Sequence, residues 1–114
     1  MKESIHTYFR VGTIQWMSYP NRNPMESLKA IAKDDFFDAI ELKGYGPQNA
    51  EVKAILNQSH LKVYYGAQPR LLGSKLNPND IDEEGRKKAE ATLIEAVDEA
   101  EYLGARGIAF LAGK

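Results

Sequence analysis

Apolar residues recur at three- and four-residue steps through the last third of the chain. Ala89, Leu93, Ala96, Val97, Ala100 and Leu103 fall on one stripe of a helix. Asp80, with Glu83 three residues on, fits a capping box at its start. Gly104 fits the left-handed residue that closes such a helix. Residues 107–112 (GIAFLA) are apolar throughout and predict a buried strand, and the chain stops two residues later.

The same pattern can be followed from the other end. Residues 1–8 predict a mobile leader. Residues 9–16 (FRVGTIQW) are rich in β-branched and aromatic side chains and predict a first strand. A loop over 18–23 follows from its Ser, Tyr, Pro, Asn and Arg residues. Asn23 is then a good N-cap, Pro24 suits the first helical position, and Glu26 completes the capping box. That helix runs to about Lys33 and buries Met25, Leu28, Ile31 and Ala32. A second strand is predicted over 37–43, and a second helix over 49–59 with Val52, Ile55 and Leu56 as its apolar face. A third strand covers 61–67, and a long loop over 68–79 leads into the third helix.

The order β-α-β-α-β-α-β predicts an α/β fold with a parallel sheet and right-handed crossovers. Two architectures take this order: a small doubly wound sheet, or the N-terminal half of a (β/α)8 TIM barrel. Such barrels usually run to roughly 250 residues, a little over twice this length. A doubly wound domain would normally cover its last strand with a helix, and none follows here. The expectation is therefore a partial barrel over residues 9–114, with strands 1 to 4 in sequential order and all helices on one face. Edge strands and an uncovered sheet face would then favour self-association.

Composition narrows the function classes. The chain is 43% hydrophobic and 27% charged, with a formal net charge of -1. Nothing in that balance calls for nucleic acid or an acidic membrane as partner. The chain has no cysteine, which excludes disulfides, thiolate catalysis and cysteine-ligated zinc. No apolar run reaches the roughly 18 residues of a membrane helix. The opening MKESIHTYFR lacks the apolar stretch of a signal peptide, so a cytoplasmic location is expected.

Glu41 is the leading candidate for chemistry. Strand alternation puts Ile40 and Leu42 on one face and Ala39, Glu41 and Lys43 on the other. In a barrel the apolar pair would face the helices, and Glu41 would point inward near the C-terminal mouth, where active sites lie. Gln15 and Trp16 end the first strand and are candidate substrate contacts. The amide suits hydroxyl groups and the indole suits the apolar face of a sugar ring. Being neighbours, only one of them should point inward. Tyr45, Gln68 and Arg70 follow strands two and three, and Arg70 could clamp a phosphate or carboxylate.

Other features carry less. The two histidines, His6 and His60, fall at opposite places and make no metal pair. Asp80, Asp82, Glu83 and Glu84 lack calcium-loop spacing and suit a helix N-terminus instead. Gly44-x-Gly46 lacks the third glycine of a dinucleotide fingerprint.

The run Asp82-Glu83-Glu84-Gly85-Arg86 leads into a helix ending Val97-Asp98-Glu99-Ala100-Glu101-Tyr102-Leu103-Gly104-Ala105, followed by a strand ending at Gly113. With Phe37-Asp38-Ala39-Ile40-Glu41-Leu42 and the opening VGTIQWMSYP, it resembles sugar phosphate isomerase/epimerase proteins, the xylose-isomerase-like TIM barrels. The resemblance implies isomerisation or epimerisation of a small sugar or polyol. It also implies a divalent metal in the full-length protein, acting as a Lewis acid on an enediolate-like intermediate. In that family the metal ligands come from the second half of the barrel, so none is assigned here, and this portion alone is expected to be inactive. Relatives of the metal-dependent nuclease type carry a histidine at the end of strand three. This chain has Gly66-Ala67-Gln68-Pro69 there, a departure that weakens the nuclease alternative. The non-enzymatic alternative is a binding or assembly module.

Overall fold

A computed structural model describes residues 5–19 and 21–111. Its frame is one parallel sheet of four strands, β1 (Gly12–Ile14), β2 (Ala39–Leu42), β3 (Lys62–Gly66) and β4 (Ile108–Ala109), in the order β1-β2-β3-β4. The helices are α1 (Pro24–Lys33), α2 (Asn49–Gln58), α3 (Gln68–Gly73) and α4 (Glu83–Tyr102). None of the described helices is long and apolar enough to cross a membrane.

Local chemistry starts the helices. The Asn23 side chain accepts from the Glu26 N–H at 2.9 Å, with Pro24 in the first turn of α1. α4 begins two residues later than a cap at Asp80 would give. Asp82 is the N-cap and accepts from Gly85 N–H at 3.0 Å. Asp80 instead accepts from the Asp82 N–H at 2.9 Å, a local turn that aims the chain into the helix. Gly104, at φ 78°, takes the left-handed position after α4.

One apolar core joins these parts. Leu28 and Ile31 of α1, Val52 and Leu56 of α2, and Ala96 and Ala100 of α4 with Leu103 just beyond it meet Ile40, Leu42, Val63 and Tyr65 of the sheet. Those strand residues share one parity, so α1, α2 and α4 cover the same face. Leu28, Ile31, Ile40, Leu42 and Val52 are fully buried. Each such side chain stabilises the fold by about 1.5–3 kcal/mol relative to exposure.

The structure departs from the pattern in several places. The predicted mobile leader includes a 3₁₀ turn at Ile5–Thr7. His6 Nε2 lies 2.6 Å from the Phe36 carbonyl, and its ring meets the Phe36 ring edge-on. Strand β1 is shorter than predicted at both ends. Phe9 is 64% exposed, and after Ile14 the chain curls into a 3₁₀ turn, Gln15–Met17. Ser18 drives that curl, donating from its backbone N–H and its hydroxyl to the Ile14 carbonyl, both at 3.1 Å. Part of the predicted long loop is helical, because Leu71 is 2% exposed and its burial winds α3 around it. Val97 is 51% exposed rather than on the packed stripe: α4 presents small residues, Ala89, Ala96 and Ala100, to its neighbours, and the contact band is narrow. Of the predicted buried strand at 107–112, the described residues pair over Ile108–Ala109, Phe110 and Leu111 are about half exposed, and Ala112 lies outside the described residues.

A polar network ties the helices to β3. The Tyr65 hydroxyl donates to Glu99 Oε1, and Arg70 Nη2 donates to the same oxygen at 2.9 Å. Asn49 Nδ2 donates to Glu99 Oε2 at 2.8 Å, and Arg70 Nε donates to the Tyr65 oxygen at 2.9 Å. A Cβ on Gly44 would collide with the Glu99 carboxylate, so glycine there makes room for the network. Burial alone would raise the Glu99 carboxyl, but hydrogen bonds from Tyr65, Arg70 and Asn49 outweigh it and hold it below the usual carboxylate range. Burial, with the Glu99 hydrogen bond, pushes the Tyr65 phenol up to about 12.

A depressed folded-state pKa for Glu99 means that the unfolded chain takes up the proton first as pH falls. The stabilisation is therefore complete above the ordinary glutamate pKa of about 4.3 and is lost as pH drops through the lower folded value. Glu99→Gln should lower unfolding free energy at neutral pH by about 1–3 kcal/mol. It should also flatten the acid limb of stability against pH, as measured by urea unfolding between pH 3 and 7.

Candidate functional site

The helix-free face of the sheet carries an open groove of about 620 Å³, lined by Gly12, Thr13, Ile14, Met17, Ala39, Ile40, Glu41 and Tyr64. Its centre follows from register. Ile14 pairs with Glu41, and Glu41 with Tyr64, so these three side chains stand in one row across β1, β2 and β3. One step further along β3 is Gly66, paired with Ala109. A Cβ at Gly66 would strike the Trp16 ring and would lie 3.1 Å from Glu41 Oε2. The missing side chain thus lets the indole and the carboxylate approach each other at the C-terminal ends of the strands. The arrangement offers a charged acceptor beside a flat apolar ring, the pairing that suits a hydroxyl-bearing carbon skeleton.

Gln15 goes elsewhere. It is 2% exposed, and its Oε1 is buried with no hydrogen-bond partner. It lines a separate cavity of about 100 Å³ with Trp16, Ser18, Tyr19, Arg22, Pro24, Ser27 and Lys43. Trp16 lines this second cavity and also lies against Gly66 at the strand ends, near Glu41, whereas Gln15 is buried in the cavity.

The other candidates are not gathered here. Tyr45 packs against the helix-side core, where burial raises its phenol pKa, and its hydroxyl lies 3.4 Å from the Pro24 carbonyl. Arg70 is held by Glu99, Glu95 and Tyr65, an engagement that leaves its guanidinium in the helix-side network. Gln68 opens α3, half-buried, and does not line the groove. Gly113 and Lys114 lie outside the described residues. His60 bonds the Phe37 carbonyl at 2.7 Å, near the N-terminal ends of the strands.

Two contributors escape a reading by strand ends alone. Tyr64 stands beside Glu41, and the alternation rule applied to strand three would have found it. Gly66 carried a signal too, since glycine inside a strand flags a close approach. The described residues include no cluster that would by itself hold a divalent metal. No three His, Asp or Glu side chains among them converge, and Glu41 is the one carboxylate lining the groove.

Comparison with protein-family models, curated proteins and solved structures gave no match to this chain.

Trp16 is the only tryptophan in the sequence, so its emission reports on this site. Gly66→Ala should displace the indole and shift the emission maximum to longer wavelength, at a stability cost of about 1–3 kcal/mol. An unchanged spectrum would mean that the ring does not rest on Gly66.

Proposed function

We propose that this chain forms the first four strands of a βα barrel of the sugar phosphate isomerase/epimerase type and holds a small polyhydroxylated substrate. Glu41 is the acidic contact, binding a hydroxyl or moving a proton on an adjacent carbon, and Trp16 is the stacking surface. One observation carries the reading: Glu41 and Trp16 meet over Gly66, on the helix-free face, at the C-terminal strand ends. Sequential parallel strands with helices on a single face agree with a barrel wall. The divalent metal of that reading would draw its ligands from strands beyond these four. A cytoplasmic location goes with the same reading.

The chemistry expected of these residues is modest on its own. A carboxylate at hydrogen-bond distance orients a hydroxyl and contributes about 1.5–3 kcal/mol as a charged hydrogen bond. Titrating the protein with neutral polyols and monosaccharides should give a saturable change in Trp16 emission. Glu41→Gln should weaken that binding by roughly 10-fold or more while leaving the circular dichroism spectrum unchanged. A wild-type protein whose emission ignores every polyol up to molar concentration would sink the proposal.

The groove also supports an assembly reading. Met17 is 68% and Tyr64 40% exposed along it, and β1 pairs through one side only among the described strands. Exposed apolar surface beside an unpaired edge favours a second copy. Sedimentation at micromolar concentration should then show a dimer or larger species, and a monomer that unfolds cooperatively would count against it.

A further inference from the structure

We propose that the small cavity beside Trp16 is an oxyanion subsite, taking a phosphate or carboxylate group. Arg22 and Lys43 line it, and no carboxylate does. A cavity with two cations and no anion has a positive potential that an oxyanion would neutralise. Arg22 leans over the Tyr19 ring at 4.9 Å, and neither cation is in an ion pair among the described residues. Both are thus available to a ligand.

The Gln15 amide oxygen is a second sign: as an unpaired acceptor it calls for a donor, which the hydroxyl of a monoprotonated phosphate or of a hydroxy acid supplies while its anionic oxygens face the cations. A buried amide oxygen without a partner costs about 1–3 kcal/mol, so sequences seldom keep one without a use. The hydroxyls beside it do not supply the partner. Ser27 Oγ donates towards the Gln15 and Ser18 carbonyls, at 3.3 and 3.1 Å, and Ser18 Oγ towards the Ile14 carbonyl. Gln15 can turn its amide so that either the oxygen or the NH₂ meets the occupant, which suits an oxyanion that also carries a hydroxyl. The volume of about 100 Å³ has room for about three waters at their liquid share, or for one tetrahedral or planar oxyanion in their place.

Trp16 lines this cavity and also lies against Gly66, close to Glu41, so an oxyanion held here would sit at one end of a ligand whose hydroxyls reach Glu41. Only this last step, what the oxyanion is attached to, rests on the polyol reading.

Calorimetric titration at fixed ionic strength separates the parts, with three ligands: inorganic phosphate, glycerate and glycerol. Phosphate or glycerate should bind saturably to the wild-type protein, and whichever binds tighter identifies the group. Lys43→Met should weaken that binding at least 10-fold, and Lys43→Arg should largely restore it. Arg22→Met, at an exposed position, provides a second variant that spares the fold. Absence of saturable phosphate and glycerate binding, or equal affinity in wild type, Lys43→Met and Arg22→Met, would overturn the subsite. If phosphate binds while neither glycerol nor any other neutral polyol does, the subsite stands and the polyol reading fails.

Discussion

Everything in this fold rests on the apolar row that β2 and β3 present to the helices. Ile40 and Leu42 pair in register with Val63 and Tyr65, and this block receives Leu28 and Ile31 from α1 and Val52 and Leu56 from α2. Parallel strands need crossovers, and here the crossover helices share a single seam. The opposite face is left open. That asymmetry creates the groove: residues of the other parity, Glu41 and Tyr64 among them, are excluded from the core by strand geometry.

The core alone does not explain how α4 is held. Its inward residues are mostly alanines, which bury little area, so apolar contact with the sheet is weak per turn. The Glu99 carboxylate compensates by binding Tyr65, Arg70 and Asn49 together, linking β3, α3, α2 and α4 at one point. A half-buried carboxylate without these donors would be costly, and with them it stays charged. Arg70 illustrates the consequence for function. A loop arginine that could have clamped a ligand is instead part of the scaffold.

The two candidate spaces meet at one side chain. Trp16 lies on the curl that Ser18 imposes after β1, which turns the indole over Gly66 and sends Gln15 the opposite way. A straight continuation of β1 would place these residues by simple alternation. The 3₁₀ turn brings both residues to the cationic cavity under the loop and leaves the indole also against Gly66, close to the acidic and aromatic groove on the sheet.

Periodicity and caps determined much of this protein. The α1 boundaries, the α/β alternation, the parity of Ile40 and Leu42 against Glu41, and the glycine after α4 follow from local rules, because each depends on residues a few positions apart. Tertiary structure decided the rest. Leu71 wound a predicted loop into α3 because a buried side chain outweighs the loop signals of its neighbours. Val97 fell outside the stripe because the packing surface under α4 is narrow. His6 docked on Phe36 through a contact thirty residues away in sequence. Gly66 and Trp16, or Arg70 and Glu99, meet only after the strands are in register, and no local pattern encodes which distant partner will arrive. Glu41 was legible as a site residue because strand parity is local. Its neighbours Tyr64 and Trp16 became a site only through the register of three strands.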